Sequence, residues 1–384
     1  MIRSAKRLEQ VQTYYFASKL KEIAELNAAG HDIINLGIGS PDLTPPPAVS
    51  EILIAGLESP KAHQYQSYYG LPELRSAFAK FYDRYYKVHI DSNTEVLPLT
   101  GSKEGIMHIS MSFLDEGDQV LVPNPGYPAY KMTTLLAGGQ PLFYDLKESN
   151  GWLPDLTKIS EQDLRSVKLM WVNYPHMPTG AKGSRKLFEE LIEFGHRHEI
   201  LICHDNPYSF ILNDKPLSLL EIDGAKETAL ELCSLSKGHN MAGWRIGAVL
   251  AHQEYISTII KFKSNMDSGM FKPMQLAAAT ALSSGDKWFR ELNATYKKRR
   301  KIAWEIFDLI KADYDKESAG LFVWAKVNTK DANYWSDEIL SKAKVFIAPG
   351  HIFGSNGDAY LRLSLCSSEE KLLNAKQRIT KNLI

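Results

Sequence analysis

Apolar residues along the chain follow two periods, one typical of buried strands and one typical of amphipathic helices. Between about residues 95 and 250, short apolar runs that end in Gly, Ser, Asn or Asp alternate with longer segments of helical spacing. The runs that predict strands are residues 95–100, 119–122, 141–145, 167–172, 200–204 and 230–234. Strands that alternate with helices predict a mainly parallel sheet with helices on both faces, a three-layer αβα domain.

Both ends of the chain carry further helical and strand patterns outside this region. Residues 14–26 predict an amphipathic helix, residues 288–310 keep helical spacing, and residues 320–324 and 360–365 predict strands. Pro45-Pro-Pro47 marks a break after the first segment. We therefore predict a large domain at 47–285 and a smaller α+β domain built from both chain ends, 1–46 and 286–384.

Composition narrows the functional class of this 384-residue chain. Lys and Arg number 45 and Asp and Glu number 45, so no net charge attracts the protein to nucleic acid or to an anionic membrane. No apolar run approaches the roughly 20 residues that span a bilayer, and the N-terminus lacks the apolar core of a signal peptide. The three cysteines are an odd, sparse set typical of reduced thiols. We expect a cytoplasmic protein with no membrane or nucleic-acid partner.

The chemistry centres on the stretch from Ser234 to Gly247, Ser-Leu-Ser-Lys-Gly-His-Asn-Met-Ala-Gly-Trp-Arg-Ile-Gly. Lys237 stands next to Ser236 and Arg245 follows eight residues later. A free lysine has a pKa of about 10.4, so only about 0.04% of it is neutral at pH 7. Covalent lysine catalysis requires a site that lowers this pKa or stores the amine as a Schiff base. The alternative is an exposed lysine in a polar turn, and the rest of the chain has to decide between the two.

Two further groups follow predicted strands. Gly101-Ser-Lys103 lies between a strand and a helix, where free amides and the helix dipole favour an anion. Asp205 and Tyr208 follow the strand at 200–204, where a carboxylate can pair with a protonated ring nitrogen. Simple helix starts and caps are the alternatives. Ligands of open α/β sheets bind beyond the strand ends, which is where all of these residues fall.

Taken together, these residues resemble the class I/II aminotransferases, pyridoxal-phosphate enzymes of fold type I. The pattern Ser-x-Ser-Lys-x-x-x-Met-x-Gly-Trp-Arg-Ile-Gly is highly specific for that family, and the resemblance extends from about Gly37 to Arg362. It implies pyridoxal 5'-phosphate as the cofactor and a homodimer whose active sites are shared between two copies of the chain.

The resemblance also implies roles for individual residues. Lys237 forms the Schiff base and moves the proton, Asp205 holds the ring nitrogen, and Arg362 clamps the substrate α-carboxylate. Gly39 offers its amide to the same carboxylate. The remaining cofactor contacts are the ring-stacking Tyr127, the ring-oxygen donor Tyr208, the partner-reaching Tyr65, and the phosphate ligands Gly101, Ser102, Lys103, Ser234, Ser236 and Arg245.

One position departs from the family pattern. The family usually has Asn-Pro-Thr-Gly, whose asparagine donates to the ring oxygen, whereas this chain has Met177-Pro-Thr-Gly180. We hypothesise that Asn173 replaces the missing donor, with His176 and Tyr208 acting alone as the alternatives.

Other polar clusters predict no function. The spacing of His196, His198, Cys203 and His204 fits no usual zinc site, so we predict no metal. Arg299 and Arg300, within a basic run, predict a solvated helix face.

The function that follows is transfer of an amino group from an L-amino acid to a 2-oxo acid by a ping-pong cycle. A pyridoxal-phosphate carbon–sulfur β-lyase and a non-catalytic regulator with the same fold are the alternatives. No second arginine for a side-chain carboxylate is evident, and the aromatic residues at 14–16 favour neutral, apolar or aromatic side chains.

Overall fold

The first third of the chain contributes to both domains. A computed structural model describes residues 2–383. The elements in this part are α1 (Tyr15–Ala28), β1 (Ile34–Asn35), α2 (Pro47–Leu57), α3 (Pro72–Tyr86), β2 (Val96–Leu99), α4 (Ser102–Phe113), β3 (Gln119–Asn124) and α5 (Pro128–Leu136). Proline stands at the start of α2, α3 and α5, where its missing N–H is not needed.

The middle of the chain completes the large domain. Its elements are β4 (Gln140–Asp145), α6 (Leu156–Ser160), β5 (Val167–Val172), α7 (Arg185–His198), β6 (Leu201–Asn206), α8 (Ala225–Thr228), β7 (Ala229–Ser234), α9 (Leu235–Gly238), β8 (Gly247–Ala251), α10 (Gln253–Met266) and α11 (Lys272–Leu282). Seven strands form one sheet in the order β2-β8-β7-β6-β5-β3-β4. Within that sheet only β8 runs against the other six.

Both faces of this sheet are buried along its central strands, as their apolar patterns require. Along β5, Leu169 and Trp171 pack with α4, α5 and α10, whereas Met170 and Val172 pack with α3, α7 and α11. Successive side chains of a strand point to opposite faces, so a strand covered on both faces must be apolar throughout. The predicted mainly parallel αβα architecture is confirmed.

The smaller unit combines the N-terminal segment with the C-terminal elements. These are α12 (Asp286–Leu309), β9 (Asp313–Tyr314), β10 (Phe322–Lys326), α13 (Ala332–Ala343), β11 (Val345–Phe346), β12 (Ala348–Pro349), β13 (Tyr360–Ser364) and α14 (Glu369–Leu383). A four-stranded antiparallel sheet has the order β12-β13-β10-β9, and β1 pairs with β11 in parallel. One core joins side chains of α1 and β1 to those of α12 and α14.

The prediction of a solvated face at Arg299 is wrong. Arg299 is buried and forms a bidentate ion pair with Asp42, at 2.6 and 2.9 Å, and Nη1 also donates to the Leu365 carbonyl. Arg300 is partly buried and donates to the Ser318 carbonyl at 2.8 Å. Because only residues three or four positions apart share a helix face, one residue within a basic run can face the core while its neighbours face solvent.

Among residues 2–383, no helix combines the length and the apolar character that crossing a bilayer requires.

Candidate active site

A cavity of about 390 Å³ lies where the carboxyl ends of the large sheet's strands face the smaller unit. Asn173 follows β5, Asp205 is the next-to-last residue of β6, Ser234 ends β7, and Ser102 begins α4. The predicted site residues that line it are Gly39, Ser102, Lys103, Tyr127, Asn173, Asp205, Tyr208, Ser234, Ser236, Lys237, Arg245 and Arg362. Residues far apart in the sequence therefore converge on one cavity.

Lys237 is held inside this cavity by the short helix α9, whose N-terminus is capped by Ser234 through the Ser236 amide. Burial lowers the pKa of the Lys237 ammonium, because desolvation disfavours its charged form. Its Nζ donates to the Gly39 carbonyl at 2.5 Å. A lysine with a lowered pKa in a cleft is the form that carbonyl chemistry needs.

An anion cradle lies at one end of the cavity. The first amides of α4, at Ser102 and Lys103, have no acceptor within the helix and point to the same side as Arg245. Arg245 Nη1 lies 3.4 Å from Ser236 Oγ and donates to the Ala242 carbonyl at 2.9 Å. A Cβ at Gly101, whose φ is +86°, would lie 2.2 Å from Arg245 Nη2. Only glycine fits there, and it does so by leaving room for the guanidinium.

Asp205 is buried in the same cavity, and its two carboxylate oxygens have different surroundings. Oδ2 accepts a hydrogen bond from the Tyr130 hydroxyl at 3.0 Å, whereas Oδ1 has no protein partner among the described residues. Burial raises the pKa of Asp205 to about 6. A buried carboxylate oxygen without a partner is costly, so it indicates a site that a positively charged group completes.

Tyr208, Asn173 and Met177 also line the cavity. Both ends of the Asn173 amide contact backbone: Nδ2 donates to the Asp205 carbonyl at 2.5 Å, and Oδ1 accepts from the Met177 amide at 2.7 Å. One N–H of Nδ2 is left for a further acceptor. His176, the alternative donor, lies outside the cavity lining, and its Nδ1 is 2.8 Å from Thr179 Oγ1.

Arg362 lies on β13 and is surrounded by aromatic rings. Its guanidinium carbon is 3.9 Å from the ring centroid of Phe322, 4.4 Å from that of Phe353 and 5.2 Å from that of Phe16. Nη2 donates to the Gly37 carbonyl at 2.7 Å, and Nη1 lies 3.2 Å from the Met177 sulfur. Burial lowers the pKa of Arg362 to about 10, so it stays charged at neutral pH. A thioether is a weak acceptor that a carboxylate can displace.

Tyr65 is not brought to the cavity of its own chain. Its side chain is 93% exposed, in a loop that packs closely on the turn at Gly269, where a Cβ would lie 2.4 Å from the Gln66 carbonyl. Gly101 lies behind the cradle rather than in the lining.

Several lining residues escaped prediction. Tyr130 lies on the first turn of α5, three residues after Tyr127, which is the N-cap of that helix, and the two rings meet edge to face. Phe322 and Phe353 come from β10 and from the loop before β13, and no local pattern connects them with Arg362.

The charges of the cavity fit pyridoxal phosphate with a bound amino acid. Lys103, Lys237, Arg245 and Arg362 are cations, and Asp205 is the one carboxylate among the lining residues described. This balance suits a phosphate at the cradle, a carboxylate at Arg362 and a protonated ring nitrogen at the free oxygen of Asp205.

Comparison with known proteins supports the family that the sequence resembles. Residues 31–379 match the family model described as aminotransferase class I and II. The chain is 40% identical over 385 residues to the LL-diaminopimelate aminotransferase of Moorella thermoacetica, covering 100% of this chain and 99% of that one. It is 40% identical over 374 residues to the enzyme of the same name from Dehalococcoides mccartyi, covering 97% and 96%. A substrate-bound structure of BacF from Bacillus subtillis superposes with a TM-score of 0.95 at 35% identity, covering 99% and 98%.

Proposed function

This chain belongs to the class I and II aminotransferase family and is a pyridoxal-phosphate-dependent transaminase, and from that premise we propose how its residues divide the reaction and which amino acid it uses. The observation that carries the proposal is the position of buried Lys237 in one cavity with Asp205, Arg245 and Arg362. The predicted amino-group transfer and its cofactor are confirmed by the family, and the residue roles are what we propose here.

Each assigned residue acts on one part of the bound molecules. Bound pyridoxal phosphate supplies an electron-withdrawing ring that stabilises negative charge on the substrate α-carbon. The Ser102 and Lys103 amides, Ser234, Ser236 and Arg245 hold its phosphate, Tyr127 covers the ring, and Tyr208 donates to the ring hydroxyl. Asp205 keeps the ring nitrogen protonated, because a facing negative charge favours the protonated form.

The substrate is oriented by the other end of the cavity. Arg362 binds the α-carboxylate with its planar fork and the Gly39 amide adds a further donor. Lys237 Nζ, held in the same cavity, would then be the group that takes up the α-proton and releases it again as the amino group moves. The rings of Phe16, Phe322 and Phe353 exclude water around Arg362 and strengthen its interaction with the carboxylate.

A lysine test separates this assignment from a structural role. Lys237→Ala should lose the visible absorption of the bound cofactor and lower the rate of transfer at least about 1,000-fold. Lys297→Ala, on the exposed face of α12, should change neither. An unchanged spectrum in Lys237→Ala would rule out the assigned lysine.

Release of pyruvate and ammonia from cystathionine without an oxo acid would favour the β-lyase alternative instead.

For the amino donor we propose LL-diaminopimelate, the compound in the names of the relatives. Support comes from Lys103, whose ammonium lines the cavity 4.5 Å from the Tyr14 ring centroid. In the described part of the chain it forms no salt bridge. LL-diaminopimelate carries a second carboxylate beyond a short aliphatic segment, and an ammonium at the cavity lining suits that group.

A panel of donors tests this proposal. Wild-type enzyme should use LL-diaminopimelate far better than phenylalanine or tyrosine with 2-oxoglutarate as acceptor. Lys103→Met, which keeps the aliphatic stem, should raise the KM for LL-diaminopimelate about 10- to 100-fold, because hydrogen bonds to charged groups contribute about 1.5–3 kcal/mol. The KM for a monocarboxylic donor should change little.

A neutral aromatic donor is the second candidate. Tyr14, Phe16, Leu20 and Ile38 form an apolar wall, which suits an aromatic side chain. Preference for tyrosine over LL-diaminopimelate, unaffected by Lys103→Met, would favour this candidate.

We also propose that the enzyme is a homodimer in a reducing, cytoplasmic compartment. The exposed Tyr65, Tyr68, Tyr69 and Phe271 lie in two neighbouring loops, and exposed Met266 ends α10 beside them; all suit burial against a second copy. The three cysteines are free and buried, which supports a reducing compartment.

A further inference from the structure

The carboxylate of Asp205 is held from one side only. Its Oδ2 accepts from the Tyr130 hydroxyl at 3.0 Å, its carbonyl accepts from Asn173, and its Oδ1 has no protein partner among residues 2–383. A carboxylate with one fixed oxygen has a fixed plane, so the free oxygen has a defined direction as well.

Tyr130 is itself rigid and can only donate to this carboxylate. It is fully buried on α5, and its ring stacks on that of Trp171 with centroids 5.0 Å apart and an angle of 3° between the planes. Burial and the charge of Asp205 hold the pKa of the Tyr130 hydroxyl well above its usual value, so the proton stays on the phenol oxygen.

The ring-covering residue stands at the N-cap of the same helix, α5. Tyr127 lies three residues before Tyr130, and the two rings meet edge to face with centroids 5.6 Å apart. Any shift of α5 therefore moves both the group that covers the cofactor ring and the group that orients its nitrogen partner.

We propose that Tyr130 is a positioning residue that orients and ionises Asp205 for the cofactor ring nitrogen and ties that orientation to the ring-stacking Tyr127. This inference rests on the role proposed above for Asp205. The ring of Tyr130 is part of the cavity lining, and in this proposal Tyr130 acts through the hydrogen bond from its hydroxyl to the Asp205 carboxylate.

Loss of the hydroxyl has a consequence that depends on pH. Burial raises the pKa of Asp205 to about 6, and the hydrogen bond from Tyr130 opposes that rise. The other titratable groups that face Asp205 are His204, Lys237, Tyr127 and Tyr208, and a change at Tyr130 leaves all four in place. Without the hydroxyl the carboxyl becomes neutral at a higher pH, and the neutral form cannot pair with a protonated ring nitrogen.

Equilibrium binding of pyridoxal phosphate, measured between pH 5 and 9, tests the proposal on the full-length protein. Tyr130→Phe keeps the ring and its stack on Trp171 and removes only the hydroxyl. It should bind the cofactor about tenfold more weakly at neutral pH. The pH below which binding is lost should rise by about one unit. Tyr144→Phe is the matched control, because Tyr144 is buried and donates to the Trp171 carbonyl at 2.7 Å without touching Asp205.

The outcomes separate the inference from the proposed function. If Tyr130→Phe binds with wild-type affinity and pH dependence while Asp205→Ala loses binding, Tyr130 is not a positioning residue and the role of Asp205 stands. If Asp205→Ala also binds normally, the role of Asp205 itself is wrong. An equal change in Tyr144→Phe would indicate a general packing effect and overturn the inference.

Should Tyr130→Phe fail to fold, Tyr130→His gives the answer, because its ring N–H restores a donor. Binding intermediate between those of wild type and Asp205→Ala supports the proposal, and binding as weak as that of Asp205→Ala contradicts it.

Discussion

The negative charge of Asp205, which we propose the cofactor needs, destabilises the cofactor-free protein because it is buried. Burial raises its pKa from 3.8 to about 6 in the folded protein. Between these values the folded state binds more protons than the unfolded state, so the stability of the cofactor-free protein falls as the pH rises from about 4 to 6. Above pH 6 the buried charge costs about 3 kcal/mol, since each unit of pKa corresponds to about 1.4 kcal/mol.

Replacing that charge should stabilise the cofactor-free protein. Asp205→Asn keeps the shape of the side chain and removes the charge, so we expect a higher Tm at pH 8 and no gain at pH 4, where the wild-type carboxyl is protonated. Thermal unfolding of both proteins at the two pH values measures this. A gain of the same size at pH 4 would show that the effect is unrelated to ionisation. Cofactor binding should be lost in the same variant.

Met177 allows a direct test of the ring-oxygen contact. Met177→Asn adds a donor beside the ring hydroxyl of the bound cofactor and stabilises its anionic form, so the midpoint of the pH-dependent visible absorption should fall by about one unit. Met177→Leu adds no donor and is the control. An equal shift in both variants would assign the effect to packing around Arg362.

Asn173 is the residue that we hypothesise to donate in place of the missing asparagine. Asn173→Ala should raise the midpoint of the same absorption change, because one donor to the ring oxygen is lost. It should also lower the Tm, since the amide connects the Asp205 carbonyl to the Met177 amide. A normal spectrum and pH profile with a lowered Tm would leave Asn173 a purely structural role.

At the scale of elements, the segment of residues 37–44 connects the two domains across the cavity. Side chains from three elements hold it: Arg362 donates to the Gly37 carbonyl, Lys237 to the Gly39 carbonyl, and Arg299 pairs with Asp42. Arg299 also donates to the Leu365 carbonyl, just beyond the strand that carries Arg362. One buried guanidinium thus sets the distance between Gly39 and Arg362.

Breaking this ion pair should weaken substrate binding more than it slows turnover. Asp42→Asn leaves Arg299 buried without its charge partner, which costs about 2–4 kcal/mol of unfolding free energy and lowers the Tm. We expect the KM for the amino donor to rise about tenfold with a smaller change in kcat. The reason is that Gly39 and Arg362, which we propose bind the substrate carboxylate, shift relative to each other while Lys237 stays in place. Steady-state kinetics and thermal unfolding measure both effects.

A surface ion pair provides the control for that experiment. Lys186 and Glu190 form an exposed pair four residues apart on α7, worth about 0.3–0.5 kcal/mol. Glu190→Gln should therefore leave the Tm and the KM unchanged. A fall in kcat alone for Asp42→Asn would contradict a role in positioning Gly39 and Arg362.

At the scale of the whole molecule, Tyr65, which we predict to reach the cofactor phosphate, does not line the cavity of its own chain. Tyr65 is exposed and lies outside the cavity lining, in the loop that packs on the turn at Gly269. If two copies share their sites, each Tyr65 completes the cavity of the other copy, and the exposed rings of this loop become buried.

Mixed dimers test this arrangement. Lys237→Ala and Tyr65→Ala proteins should each have low activity, the first much lower than the second. After unfolding and refolding together, a hybrid contains one site with Lys237 from one chain and Tyr65 from the other, both intact. Activity should then rise towards that of one wild-type site per hybrid. If the mixture forms dimers but does not regain activity, the sites are not shared.

Much of this architecture is visible in local patterns. The strand prediction at residues 167–172 coincides with β5, and the helical spacing at residues 288–310 falls on α12, Asp286–Leu309, with bounds that differ by one or two residues. Buried parallel strands are continuous apolar runs and amphipathic helices repeat every three to four residues, so both can be recognised without tertiary information. Strand β8 is short and apolar like its neighbours, and nothing in its residues indicates that it runs in the opposite direction.

Local residue patterns are enough to predict the αβα architecture, because strand and helix periods depend on residue type and nearby spacing. The roles predicted for individual residues come from the family resemblance, and what surrounds those residues is known only from the way the elements pack. The hydrogen bond from Tyr130 to Asp205, the contact of the Met177 sulfur with Arg362, and the ion pair of Arg299 with Asp42 join residues 75, 185 and 257 positions apart. Contacts of that range depend on how separate elements pack, and no local period encodes them.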